Sequence, residues 1–218
     1  MLFKDRREAG RLLAQRLLPF KDKHPVVLAL PRGGVPVGFE VARALAAPLD
    51  LVLVRKIGAP MNEEFAVGAI ADGEHPDVVI DQRLVQRLDI SPAYLDEAKA
   101  SALIEIERRR RVWLGGQAPV DIAGCTAIVV DDGIATGATM RAALRATRHR
   151  KPARIVLAVP VAAADALDWL RSEVDEVVCL DTPEDFGAVG YFYRQFPQLR
   201  DAEVTALLDE ARTFIATG

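Results

Sequence analysis

Two adjacent carboxylates, Asp131 and Asp132, stand where chemistry is easiest to assign, in the stretch AIVVDDGIATGATM from Ala127 to Met140. Four apolar residues lead into them, and a loop of glycine, alanine and threonine without charge follows. In GIATGAT, Gly133 and Gly137 let the backbone turn its N–H groups inward. The helix expected next adds partial positive charge at its N-terminus, and Thr136 and Thr139 add hydroxyl donors. Amides that hold a phosphate, preceded by carboxylates that accept from sugar hydroxyls, describe a clamp for a ribose 5-phosphate. The nucleoside-triphosphatase loop GxxxxGK[ST] is excluded because its lysine and spacing are missing, and the dinucleotide fingerprint GxGxxG is absent as well.

The elements that must carry this clamp follow from the apolar pattern. Short runs rich in β-branched residues, VVLAL from Val26, LVLVRK from Leu51, AIVVDD from Ala127, IVLAVPV from Ile155 and VVCL from Val177, suit strands buried on both faces. Helical spacing lies between them, over Pro36–Ala47, Thr139–Arg148 and Ala162–Arg171. Alternating strand and helix predict a largely parallel sheet with helices on it, and such sheets bind ligands at the carboxyl ends of their strands.

At the amino end, Asp5 and Glu8 predict a capped amphipathic helix, and another is predicted from Asp201 to Ile215. The interval from about 57 to 124 interrupts the rhythm with a hairpin from Phe65 to Ile80 and a charged helix from Pro92 to about Leu114. We therefore expect one domain over residues 1–218, with that insertion and a C-terminal hood and helix over about 181–218.

Composition bounds the function. At 218 residues, half of them hydrophobic, the chain can build a proper core, and its formal net charge of -3 does not suit a bulk binder of nucleic acid or membrane surfaces. Cys125 and Cys179 lack a disulfide framework or zinc spacing, and both are expected as buried reduced thiols. MLFKDRREAG is charged at once, and no segment reaches the ~20 apolar residues of a membrane helix, so a soluble cytoplasmic protein is expected.

The string VVDDGIATGAT resembles the binding motif for phosphoribosyl pyrophosphate (PRPP) in type I phosphoribosyltransferases. LPRGGVPVGFEVARAL, from Leu30, resembles the pyrophosphate loop of xanthine phosphoribosyltransferase. VRKIGAPMNEEFAVG, from Val54, is similar to a segment of adenine phosphoribosyltransferases, with fewer residues between the Arg-Lys pair and the glutamate. The resemblance implies the type I phosphoribosyltransferase fold: a mostly parallel central sheet flanked by helices, with a small hood.

It also implies a PRPP-dependent pentosyltransferase that moves the 5-phosphoribosyl group to a nitrogen heterocycle, expected to be a purine-like base, and releases pyrophosphate. Asp131 and Asp132 would hold the ribose hydroxyls and, through them or water, Mg²⁺. Gly133, Ala135, Thr136, Gly137, Ala138 and Thr139 would hold the 5-phosphate, and Arg32, Gly33, Gly34, Arg55 and Lys56 the pyrophosphate. Glu64 would lie near the anomeric centre or base, with Glu63 or a structural role as alternatives. In the hood, Phe186, Tyr191 and Tyr193 would stack on the base and Asp185 would read its edge, although aromatics there also serve as packing.

A homodimer is the expected assembly. The competing reading is a PRPP- or nucleotide-sensing regulator that binds RNA through the charged helix, which carries Arg108 to Arg111. Glu105 and Glu107 precede Arg109 and Arg111 by four residues, which favours a solvated, ion-paired helix face. A basic helix covering the substrate of a neighbouring subunit, or transfer to an unusual acceptor such as an amine, also stays open.

Overall fold

The computed structural model describes residues 1–72 and 76–214, with the backbone alone at 62–64 and 77. The chain opens with α1 (Arg6–Leu17), where the Asp5 carboxylate accepts from Glu8 N at 2.8 Å as the cap requires. Then follow β1 (Pro25–Ala29), α2 (Gly34–Leu45) and β2 (Leu49–Leu51). The insertion contributes β3 (Val54–Ala59), β4 (Asn62–Ala71), β5 (Asp77–Ile80), α3 (Gln82–Arg87) and α4 (Pro92–Leu114). The chain continues through β6 (Thr126–Val130), α5 (Ala138–His149), β7 (Arg154–Val161), α6 (Ala164–Leu170), β8 (Glu176–Asp181) and α7 (Asp201–Ala211).

The main sheet is parallel throughout, in the order β2-β1-β6-β7-β8. Alternate residues along each central strand serve opposite faces. Val26, Leu28, Ala127, Val129 and Ile155 pack with Leu144, Leu167 and Leu170 of α5 and α6, while Val27, Ile128, Val130 and Val156 pack with Leu13, Leu17, Val37 and Val41 of α1 and α2. The expected double burial therefore holds for β1, β6 and β7. At the sheet edge β8 is only half-buried along its length, because it has a single strand neighbour. Cys179 on β8 and Cys125 before β6 are free and half-buried, less enclosed than their apolar surroundings in sequence predict.

The run LVLVRK does not form one strand. Its first residue closes β2, Val52 N still bonds to Ala29 O at 3.0 Å, and the chain then leaves to start β3 in a second, antiparallel sheet of order β3-β4-β5. The predicted hairpin is thus the latter part of a three-stranded unit. An apolar run marks burial but does not say against which sheet, and here it crosses from one core to another.

Helix α4 forms where its pattern predicts. Ser91 accepts from Tyr94 N at 3.2 Å, proline stands in the first turn, and Gly115 ends the helix in the left-handed region at φ 59°. Its Ala102, Ile106 and Trp113 are buried against the second sheet together with Val204 and Leu208 of α7. Among the described residues no helix is long and apolar enough to cross a membrane.

Candidate active site

The two loops that carry the phosphate motifs lie side by side because β1 pairs directly with β6, with Ala29 opposite Val130. The pairing continues past the strand end, where Leu30 N donates to Val130 O at 2.9 Å. The approach explains the two glycines of PRGG. A Cβ on Gly33 would sit 2.0 Å from Asp132 Oδ2, and one on Gly34 would sit 2.7 Å from Val130 O and 2.9 Å from Asp131 Cα. Only residues without a side chain allow this loop to lie on the paired carboxylates. The Pro31–Arg32 peptide within it is cis.

The loop after β6 is pinned at Ile134, whose N–H donates to Val161 O and whose carbonyl accepts from Ala163 N, both at 3.0 Å. Gly137 then takes φ +78° and caps α5. Among the described residues, the backbone N–H groups from Ala135 to Thr139 donate to no protein acceptor. These donors, at the positive end of a three-turn helix, form an anion cradle. Ala135 and Thr136 are exposed, so the cradle opens to solvent.

The carboxylates behind it are fixed from outside the motif. Arg6 Nε of α1 donates to Asp132 Oδ2 at 2.7 Å, with both side chains largely buried. The same guanidinium donates to Pro197 O at 2.9 Å and lies 3.7 Å from the centre of the Phe196 ring. Asp132 N donates to Asp131 Oδ1 at 2.8 Å, and Tyr193 Oη donates to Asp132 O at 2.6 Å. Burial, and then the charge of Asp132, push the Asp131 carboxyl well up. Burial also raises Asp132, while Arg6 opposes the shift. Tyr193 is raised chiefly by its own burial.

The other sequence-predicted residues are distributed as follows. Arg32 reaches away from the loop: its Nε is 3.1 Å from Asp201 and its Nη1 donates to Leu199 O at 3.2 Å. Asp201 also accepts from Trp113 Nε1 at 3.0 Å, so one carboxylate joins the glycine loop, α4 and α7. Arg55 and Lys56 are exposed on β3 and have no ion pair among the described residues. They line a 540 Å³ cleft shared with Pro31 and Thr139. Glu64 lies on β4, but its side chain is outside the described residues, as is that of Glu63.

In the C-terminal segment, the Tyr193 ring is 5% exposed and packs between Phe3 and Phe196, which leaves it no open face. Phe186 stacks on Phe192 with centroids 5.3 Å apart. Tyr191 is 77% exposed and Asp185 is exposed too, so these two face solvent. Val189 reaches the clamp itself, since a Cβ on Gly133 would meet its Cγ1 at 2.6 Å. Sequence reasoning missed Arg6, Asp201, Trp113 and the backbone-directed role of the Tyr193 hydroxyl. No local spacing could reveal a pair such as Arg6 and Asp132, separated by 126 positions.

A parallel sheet flanked by helices, with a turn of unpaired backbone amides and paired carboxylates at its strand ends, matches the fold of type I phosphoribosyltransferases. The profile of the phosphoribosyl transferase domain matches residues 4–196, and the chain belongs to that family. It is 47% identical over all of its 218 residues to a Mycobacterium tuberculosis protein named "Putative phosphoribosyl transferase Rv0571c", covering 49% of that relative. The chain thus spans about half the length of the curated relatives it matches first. Over 131 residues it is 38% identical to the bifunctional protein PyrR of Chloroflexus aurantiacus, covering 59% of this chain and 65% of the relative. The crystal structure of TT1426 from Thermus thermophilus superposes with a TM-score of 0.78 at 44% identity, covering 96% of this chain and 99% of that one.

Proposed function

We propose that the chain is a PRPP-dependent phosphoribosyltransferase that transfers the 5-phosphoribosyl group to a nitrogen heterocycle, with a purine-like base as the first candidate, and releases pyrophosphate. The observation that carries this reading is the contact of Gly33 and Gly34 with Asp131 and Asp132 beside an open amide cradle. Amides from Ala135 to Thr139 hold the 5-phosphate, Asp131 and Asp132 accept from the ribose hydroxyls, and the glycine loop with Arg55 and Lys56 receives the pyrophosphate.

Displacement at the anomeric carbon builds positive charge on the sugar and negative charge on the departing group. Prepositioned carboxylates offset the first, and amides with cations offset the second, without reorganisation at the moment of reaction. Arg6 opposes the rise that burial imposes on the Asp132 carboxyl and orients it, and the Tyr193 hydroxyl holds its carbonyl.

Mg²⁺ fits this donor set as an ion shared with the substrate. No group of three or more His, Cys, Asp or Glu side chains converges to hold an ion among the described residues, and Asp132 Oδ2 is already engaged by Arg6. Mg²⁺ commonly uses one or two carboxylates together with substrate phosphates. Asp131 and Asp132 would hold it through ribose hydroxyls or water, and the ion would neutralise charge on the pyrophosphate.

Titration calorimetry of PRPP with Mg²⁺ into the native chain and an Asp131→Asn/Asp132→Asn variant tests the clamp, and pyrophosphate release with a panel of heterocycles tests transfer. Binding lost in the variant, with release for one acceptor, is expected. Binding without release from any acceptor would favour the sensing regulator, and absence of binding would end both readings. An RNA-binding role draws less support from α4. That helix carries five basic and four acidic residues, and each of Arg108 to Arg111 pairs with a carboxylate, of Glu105, Asp72 or Glu107.

The homodimer belongs to this proposal. Exposed Met61, Phe65 and Ile104 on the insertion supply apolar surface for it, and sedimentation velocity would reveal a species of one mass or two.

A further inference from the structure

Helix α4 lies outside the three strand-end motifs, yet it closes the far side of the cleft that Arg55 and Lys56 enter. Ser101 and Arg109 line that cleft together with β3, Pro31 of the glycine loop and Thr139. Tyr94 Oη donates to Gly58 O at 3.0 Å and ties the start of the helix to β3. At its other end Trp113 is tied to Asp201, which also holds Arg32 of the glycine loop. Helix α4 is therefore tied to β3 at its start and, through Asp201, to the glycine loop at its end.

Arg109 is the cation on the α4 wall. Its side chain is 19% exposed; Nε donates to Glu105 Oε1 at 2.8 Å, and the guanidinium carbon lies 5.5 Å from the centre of the Trp113 ring. Both Nη groups have no acceptor among the described residues. Glu105 is shared, because it also accepts from Arg108 at 2.8 and 3.0 Å. One carboxylate thus serves two guanidiniums, while Arg55 and Lys56 across the cleft have no ion pair among the described residues. Among the described residues Glu97 is the one acidic residue in the lining. Three cations facing a narrow polar cleft suit a small polyanion, not a neutral planar base.

We propose that Arg109 is a third cation of the pyrophosphate pocket, so that α4 recognises the pyrophosphoryl end of PRPP and the pyrophosphate that leaves it. This inference rests on the PRPP reading above. The clamp at Asp131 and the cradle hold the ribose 5-phosphate half, and α4 adds contacts only to the other half. A ligand bridging the glycine-loop amides and Arg109 meets a loop and a helix already joined through Asp201, so little ordering is left to oppose binding.

The test is calorimetry with three probes, Mg²⁺-pyrophosphate, PRPP and ribose 5-phosphate, on the native chain, Arg109→Gln, Arg109→Lys and Glu105→Gln. Arg109→Gln is expected to weaken pyrophosphate and PRPP about tenfold, as for one lost charge-assisted hydrogen bond, and to leave ribose 5-phosphate unchanged. Arg109→Lys should recover part of the loss. Glu105→Gln removes the helix partner of Arg109 and keeps the cation, so it should bind pyrophosphate at least as tightly as the native chain.

Native affinity for pyrophosphate and PRPP in Arg109→Gln, alongside a working clamp, would overturn the inference alone. So would an equal loss for ribose 5-phosphate, or a Glu105→Gln loss matching that of Arg109→Gln, either of which would assign the effect to the shape of α4. A native chain that binds neither PRPP nor pyrophosphate would remove the inference together with the function it rests on.

Discussion

Replacing Arg6 by methionine keeps most of the side-chain volume and removes the guanidinium from a pair buried at 10% and 13% side-chain exposure. Breaking a buried ion pair by deleting one partner typically costs about 3–5 kcal/mol, because the other charge is left without compensation. Arg6 also gives a hydrogen bond to Pro197 O and covers Phe196, which adds to the loss. Asp132 can take up a proton once Arg6 is gone, since burial already raises it, and this relief limits the cost.

We therefore expect the low end, about 3 kcal/mol, or a melting temperature lower by about 6–12 °C for a chain of this size. Urea denaturation followed by circular dichroism measures it. Adding Asp132→Asn to Arg6→Met should restore about 2 kcal/mol of the loss, because the uncompensated charge is then absent. PRPP affinity should fall at least tenfold in the single variant, as Asp132 loses the group that orients it. A cost below about 1 kcal/mol, with native PRPP affinity, would show that Arg6 does not hold the carboxylate and would refute the reasoning.

Three further outcomes follow from the same geometry. Gly33→Ala would place a methyl group 2.0 Å from Asp132 Oδ2, so the carboxylate must swing off Arg6; thermal unfolding and PRPP calorimetry should both show losses comparable with Arg6→Met. Asp50 is buried, its two oxygens accept from Leu51 N and Val120 N at 2.8 Å each, and burial raises its carboxyl. Asp50→Asn leaves one of those N–H groups facing an amide NH₂ and should cost about 1–3 kcal/mol in urea unfolding. Folded Asp50 takes up its proton more readily than the unfolded chain does, so its protonated form adds stability at low pH that is lost as pH rises through the folded value. The deficit of Asp50→Asn should thus be larger at about pH 4 than at about pH 8. Hydrogen bonds from Arg108 and then Arg109 hold Glu105 down at about 2, below its ordinary 4.5. Its contribution is complete above 4.5 and is lost as pH falls toward 2. Glu105→Gln should cost no more than about 1 kcal/mol at neutral pH, given the exposure of such helix pairs, and the difference from the native chain should vanish on acid titration.

What was legible in the sequence was local. The apolar runs marked the strands β1, β6 and β7, because a strand buried on both faces needs apolar residues at every position. The glycines and threonines after Asp132 marked an amide cradle, because a backbone that turns its N–H groups inward needs residues without bulk at the turning points. The extent of α4, Pro92–Leu114, was legible too, whereas its serine cap and terminal glycine were recognised only in the structure.

Tertiary structure alone decided which partners those local features meet. That Gly33 and Gly34 lie on Asp131 and Asp132 follows from β1 pairing with β6, two strands separated by the whole insertion. It also decided that LVLVRK divides between two sheets, that Tyr193 turns its ring into the core, that Arg6 meets Asp132 and that Asp201 meets Arg32. Periodicity and motif spacing report interactions over a few residues, whereas an ion pair across 126 positions leaves no mark on either neighbourhood.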